Sequence, residues 1–304
     1  MNLASPSDVR EWCRENGFHP SRALGQNFLI DRNTLDAIIA AAGASAGEHV
    51  LEIGPGLGVL TQALLETGAR VTAIEKDRRL ARFLRETLAP KFPGRLALIE
   101  GDALALLKAG NLQRSSEGTS KKHLEVESSL LNVESFSNVV SNLPYSVGTR
   151  ILVDLALHPS APASFTLLLQ TEVAERLAAP EKHPERALLS VWIQRLYDVR
   201  LVRKIPPACF YPKPEVDSSL VRLDRHGRHP LAPPQAAFFT ALTRHAFTHR
   251  RKQLFPLLRS LPAPHAIPDA ALAALFEALS IDPKTRPEEL GVETWRALAQ
   301  GGYD

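Results

Sequence analysis

An α/β fold, a mostly parallel sheet covered by helices on both faces and followed by a small all-helical domain, is predicted by three observations. Between residues 49 and 170, short apolar, β-branched runs alternate with helix-length amphipathic segments, the pattern of strand, crossover helix, strand. After "HGRHPLAPPQ" (226–235) the strand pattern ceases and the remainder reads as short helices punctuated by prolines. The 304 residues, 44% of them hydrophobic, suffice for one large packed domain and one smaller one.

Taken in order, "HVLEI" (49–53), "RVTAI" (70–74), "RLALIE" (95–100), "NVVSN" (138–142) and "SFTLLLQ" (164–170) read as five strands. Between the first three, "GVLTQALLETG" carries apolar residues at helical spacing and stops at Gly68, and "DRRLARFLRETLAP" does the same and stops at Pro90. "DVRLVRKI" (198–205) and "SSLVRLDR" (218–225) form a closing pair of strands, predicting an antiparallel edge, with the proline-rich "PPACFYPKPEVD" joining them. "AAFFTALTRHAF", "RRKQLFPLLRSL", "DAALAALFEALS" and "VETWRALAQ" are the helices of the second domain. The serine-rich stretch 111–137 has no clear period and reads as a flexible insertion between the third and fourth strands. The expected partition is therefore 1–225 and 226–304.

Cys13 and Cys209 stand far apart, in no metal-ligand or CxxC spacing, so neither a disulfide framework nor a metal site is expected and a reducing compartment fits. The N-terminal stretch has no apolar signal-peptide core, and no apolar run approaches the roughly 18 residues of a membrane span. A cytoplasmic protein with no membrane contact is expected. Net charge is only +3, but residues 195–260 carry +9 and the rest −6. That asymmetry suits a polyanion partner, although a basic face that is merely solvated has the same signature.

The first strand runs into "LEIGPGLGVL", where Gly54, Gly56 and Gly58 give GxGxG instead of the GxGxxG of dinucleotide binders. Glycines here still let the backbone approach a ligand and turn into a helix N-terminus. Glu75 closes the second strand, 21 positions after Gly54, where an acid accepts from ribose hydroxyls. Asp102 closes the third, where a carboxylate can accept from an adenine amine. Each acid alone could be a solvated strand end or a helix cap. The ordered set suits a ligand with ribose and adenine but no phosphate, S-adenosyl-L-methionine.

At the end of the fourth strand stands Asn142-Leu143-Pro144-Tyr145. The lone pair of an adenine exocyclic amine is delocalised into the ring, so a catalyst must favour the geometry in which that nitrogen becomes tetrahedral. Acceptors aimed at its N–H groups do so. Asn142 offers a side-chain carbonyl, Leu143, held extended by Pro144, a backbone carbonyl, and Tyr145 a flat face on which to stack an extruded base. No general base is needed, since the amine proton becomes strongly acidic after methyl transfer. Read as structure alone, NxPY is a turn with a core tyrosine.

With these motifs in order, "LGQNFLID" (24–31), "LEIGPGLGVLT" (51–61), "AIEKD" (73–77), "GDAL" (101–104), "SNLPYS" (141–146), "TEVAERL" (171–177), "CFYPKPEVDSSLVRL" (209–223) and "AFTHRRKQL" (246–254), the chain resembles the KsgA family of small-subunit rRNA adenine-N6 dimethyltransferases. The resemblance spans nearly everything outside 111–137. It implies a Rossmann-like, S-adenosylmethionine-dependent methyltransferase fold with a C-terminal helical domain. It also implies cofactor contacts at Gln26, Asn27, Leu29, Gly54, Gly56, Glu75, Asp102, Ala103 and Asn142, and no metal. The implied substrate is a pair of adjacent adenosines in the 3′-terminal hairpin of 16S rRNA, within a small-subunit precursor, and the implied state a monomer. Ser146 and Val147 stand where the family usually has Asn-Ile, and Thr171 where a lysine is common, which bears on RNA fit and not on the chemistry.

Arg250, Arg251 and Lys252, with Lys213 in the proline-rich segment, are the expected RNA contacts, since clustered cations near a basic tract suit phosphates on folded RNA. Two other readings share these motifs. Erythromycin-resistance-type large-subunit rRNA methyltransferases have the glycine loop, an NxPY motif and the FxPKPxVxSS segment, but "FTHRRKQL", the closing "RPEELGVETWRALA" and Leu143 favour the small-subunit enzymes. A catalytically silent RNA-binding assembly or transcription factor on the same fold is disfavoured by intact Glu75, Asn142 and Tyr145.

Overall fold

Five parallel strands and their crossovers occur as the sequence periodicity predicts in the computed structural model, which describes residues 3–21, 24–113 and 136–303. The strands are β1 (Phe28–Leu29), β2 (His49–Ile53), β3 (Arg70–Glu75), β4 (Leu96–Glu100), β5 (Asn138–Asn142), β6 (Ser164–Gln170), β7 (Tyr197–Ile205), β8 (Phe210–Tyr211) and β9 (Ser218–Arg225). Seven of them form one sheet in the order β4-β3-β2-β5-β6-β9-β7. β2 pairs in parallel with β3 on one side and β5 on the other, so the connectivity reverses direction there. The expected antiparallel edge is present: β9 runs against β6, with Ser218 opposite Gln170.

β1 and β8 form a separate two-stranded ribbon, Phe28 opposite Tyr211 and Leu29 opposite Phe210. The periodicity of the sequence does not show this ribbon, because two-residue strands are too short to display alternation. It fastens the segment before the first helical crossover to the proline-rich connection.

Helices α1 (Pro6–Glu15), α2 (Arg32–Ala42), α3 (Val59–Glu66), α4 (Arg78–Thr87), α5 (Ala103–Gln113) and α6 (Gly148–Ala156) accompany the sheet. Their ends are chemically marked. Asp31 caps α2 by accepting from Thr34 N at 2.7 Å, and Asp77 caps α4 by accepting from Arg79 N at 2.9 Å. Val50, Leu64, Leu65, Leu84, Val140, Leu168 and Leu220, all fully buried, belong to the core between sheet and helices. Of the stretch expected as an insertion at 111–137, residues 114–135 lie outside those described.

The described residues form two compact units, Met1–Ala174 with Arg200–Asp224, and Glu175–Val199 with Arg225–Asp304. This differs from the partition at 225/226, because 175–199 joins the helical unit. The reason is local packing. In α8 (Leu188–Gln194), which follows α7 (Thr171–Ala178), Trp192 Nε1 donates to Thr243 Oγ1 of α9 (Pro233–Thr248) at 2.9 Å. The Arg244 guanidinium lies 5.3 Å from the Trp192 ring centre, and Arg195 lies 5.1 Å from that of Phe239. The unit continues through α10 (Leu254–Arg259), α11 (Asp269–Ala278) and α12 (Val292–Gly301) around buried Phe238, Leu242, Leu258 and Trp295. Among the described residues no helix is long and apolar enough to cross a membrane, and no cluster of His, Cys, Asp and Glu could hold a metal ion.

Candidate active site

At the carboxyl ends of β2, β3, β4 and β5 the first unit opens a cleft of about 130 Å³, bounded by Gln26, Asn27, Gly54, Gly56, Glu75, Asp102, Ala103, Asn142 and Pro144. Open α/β sheets bind ligands at this edge, where strand order reverses. Eight of the nine expected cofactor positions therefore meet in one place. The ninth, Leu29, is turned into the core at 3% exposure and does not line this cleft.

Two glycines let the backbone close over the cleft. Gly54 takes φ +71°, a conformation that favours glycine, and packs against Pro144 at ordinary contact distance. Gly25 (φ +66°) brings the 24–29 loop against the same turn, where an added Cβ would lie 3.2 Å from Tyr145 N. Gln26 holds that loop: its Oε1 accepts from Ser21 N at 2.7 Å and its Nε2 donates to Asp77 Oδ2 at 3.1 Å. The side-chain polar atoms of Gln26 are thus spent on Ser21 and on Asp77 at the cap of α4.

Glu75 is 5% exposed. Its Oε2 accepts from Gly56 N at 3.1 Å and its Oε1 from Asp77 N at 2.8 Å, which leaves lone pairs on both oxygens. Burial pushes its carboxyl up to about 7 despite these donors. Asp102 sits at the opposite extreme. Its Oδ2 accepts from Lys76 Nζ at 2.8 Å and its Oδ1 caps α5 by accepting from Leu104 N at 2.9 Å. Lys76 foremost holds its carboxyl below the usual range. Both simple readings of Asp102, cap and cleft carboxylate, are realised in one residue.

Asn142 ends β5, and its Nδ2 donates to the backbone carbonyl of Asn27 at 2.9 Å. That bond fixes which end of the amide is which, and Oδ1 has no partner among the described residues. Pro144 O accepts from Val147 N at 3.2 Å and Gly148 N at 2.7 Å, locking the turn into α6. The Leu143 side chain is buried at 2% exposure and Pro144 lines the cleft. Tyr145 is half-buried beside it, its hydroxyl 2.5 Å from Ser218 Oγ.

The sequence reading did not single out Lys76, Ser146, Val147 and Ile151 as cleft residues, although all four line it. Lys76 directly follows the strand-ending acid, and the other three follow NLPY into a helix, which is the signal that could have found them. Glu52 was also passed over. It lies on β2 below the glycine loop, fully buried, with Oε2 unpartnered and its carboxyl pushed up to about 8, chiefly by burial.

Of the expected RNA contacts, Lys213 is exposed in the first unit, between β8 and β9. Arg250, Arg251 and Lys252 are exposed in the second unit, in the turn between α9 and α10 and not on a helix face. Arg250 Nη1 donates to Pro184 O at 3.3 Å, and Lys252 N to His249 O at 2.8 Å.

A seven-stranded, largely parallel sheet with an antiparallel strand, β9, beside β6, a glycine turn without the dinucleotide fingerprint and acids on successive strand ends define an enzyme of the Rossmann-like methyltransferase class. Residues 17–296 match the family model described as ribosomal RNA adenine dimethylase. The chain is 36% identical over 294 residues to the ribosomal RNA small subunit methyltransferase A of Opitutus terrae, covering 97% of each. In structure it is similar to a dimethyladenosine transferase from Plasmodium falciparum (TM-score 0.70, 23% identity, 90% of this chain and 96% of that one). It is also similar to the 23S rRNA methyltransferase ErmE (TM-score 0.63, 25% identity, 90% and 99%). The chain belongs to the ribosomal RNA adenine dimethylase family.

Proposed function

We propose that the protein uses S-adenosyl-L-methionine to dimethylate N6 of two adjacent adenosines in the 3′-terminal hairpin of 16S rRNA, on a small-subunit precursor, as a cytoplasmic monomer. The observation that carries the chemistry is the fixed amide of Asn142, whose Nδ2 is committed to Asn27 O so that Oδ1 is the acceptor available to an incoming amine. The substrate assignment is supported by similarity to a small-subunit enzyme over 97% of both chains at 36% identity.

The cleft suits the cofactor by its own chemistry. Glu75 is a buried carboxylate with acceptor capacity left for two ribose hydroxyls, and Gly54 and Gly56 line the cleft in positive-φ conformations that L side chains rarely adopt. Asp102 offers an acceptor for the adenine amine in exchange for Lys76, a solvent-exposed partner. Asn27, Ala103 and Asn142 complete the contacts, and Leu29 serves by holding β1 in place. When bound, S-adenosylmethionine supplies the methyl group, and the displaced N6 proton leaves to water.

The protein's own part is to hold the target base and shape its amine. Asn142 Oδ1 and the Leu143 carbonyl accept from the two N6–H groups and so favour a pyramidal nitrogen, while Tyr145 stacks on the base. At saturating S-adenosylmethionine, Asn142→Ala is expected to lower the single-turnover rate on small-subunit particles by about 10² or more, with particle affinity unchanged. A rate within a few-fold of wild type contradicts the acceptor role, and methyl groups found only in 23S rRNA contradict the substrate.

A further inference from the structure

Ser218 is fully buried at the start of β9. A buried hydroxyl without a partner is costly, so the group it bonds with is informative. Its Oγ lies 2.5 Å from the Tyr145 hydroxyl, 73 residues away in sequence. Neighbouring Ser219 is nearly as buried but points to the opposite face of the strand, where its Oγ lies 3.0 Å from Thr171 Oγ1. Only one of the two adjacent serines touches the NLPY turn.

Tyr145 is consequently held at both ends. Its backbone is clamped between the Gly25 loop and the turn closed on Pro144 O. The far end of its ring is tied to the buried start of β9, the strand next to the sheet's edge. Burial pushes the phenol further up, so it stays neutral and able to donate. A tyrosine needed only to fill space would not require this second tether. A stacking platform does, because a ring free about its side-chain torsions must be ordered each time a base arrives.

We infer that Ser218 is a positioning residue, which orients the Tyr145 ring for the extruded adenine through the hydroxyl–hydroxyl bond. The inference rests on the stacking role proposed above for Tyr145. Ser218 does not line the cleft and acts only through the tyrosine.

Single-turnover methylation of small-subunit particles at saturating S-adenosylmethionine tests it, with cofactor affinity measured by calorimetry for every variant. Ser218→Ala and Tyr145→Phe should each slow transfer by about three- to ten-fold, the worth of one hydrogen bond. The double variant should be no slower than either single one. Ser218→Thr, which keeps the hydroxyl, should recover most of the rate, Ser219→Ala should match wild type, and cofactor affinity should not change. Multiplicative losses in the double variant would mean that Ser218 acts elsewhere and overturn the inference. So would wild-type rates for both single variants alongside a slow Tyr145→Ala, which leaves stacking itself standing. A wild-type rate for Tyr145→Ala would remove the stacking role and the inference with it.

Discussion

Two buried carboxyl groups, Glu75 in the cleft and Glu52 on β2, titrate near or above neutrality because burial penalises their charged forms. For both, the folded value lies above the ordinary carboxylate value, so the folded state holds its proton longer. The stability they contribute is complete at acid pH and declines as pH rises, from about 4.5 to about 8 for Glu52. Glu52→Gln should therefore gain on wild type in melting temperature as pH is raised from about 5 to about 8, and a constant difference would contradict the burial argument. Glu75 differs in lining the cleft. In its proposed role, ribose hydroxyls donating to it would stabilise the carboxylate, so S-adenosylmethionine should bind more tightly as pH rises through about 7 and release a proton on binding. Calorimetry in two buffers of different ionisation enthalpy detects that proton; Glu75→Gln should abolish it, and Glu75→Ala should weaken binding by roughly 1.5–3 kcal/mol. Glu75 was legible because it closes a strand at a telling distance from the glycine turn. Glu52 was not, because an acid inside an apolar run gives no sign of whether its carboxyl is partnered.

At the scale of elements, the crossover strands and helices were legible because each is long enough to show its period and ends at a glycine, proline or capping acid. The β1–β8 ribbon was hidden in a proline-rich connection, and Asp102 could not be assigned to cap or cleft from sequence because it is both. Gly58 shows how tightly one such boundary is specified. It takes φ +88° at the N-terminus of α3, and a Cβ there would lie 2.5 Å from Leu84 Cδ2 on α4. Gly58→Ala combines left-handed strain with overpacking and should cost about 1–3 kcal/mol in denaturant unfolding, while Gly94→Ala, also at positive φ but with open space around its Cβ, should cost less.

Across the whole molecule, the +9 tract that reads as one feature in sequence is divided by the fold. Arg200, Arg203, Lys204 and Lys213 belong to the sheet unit, and Arg250, Arg251 and Lys252 to the helical one. Sequence could not show this, since the joining of 175–199 to the helical unit depends on Trp192 and Arg195 finding partners on α9, far along the chain. Arg250→Ala with Arg251→Ala should weaken association with small-subunit particles and reduce the slope of log K against log salt by roughly 0.7–0.9 for each phosphate that is no longer neutralised. Cofactor affinity should stay at the wild-type value; an unchanged slope would mean that this turn is only solvated. The central claim, methylation of two neighbouring adenosines by this cleft, is tested most directly by mapping N6,N6-dimethyladenosine along the rRNA of cells with the protein, without it, and with Asn142→Ala in its place. Two adjacent dimethylated adenosines are expected in the 3′-terminal hairpin of 16S rRNA, present only with the intact protein. Their persistence in its absence, or a loss confined to 23S rRNA, would contradict it.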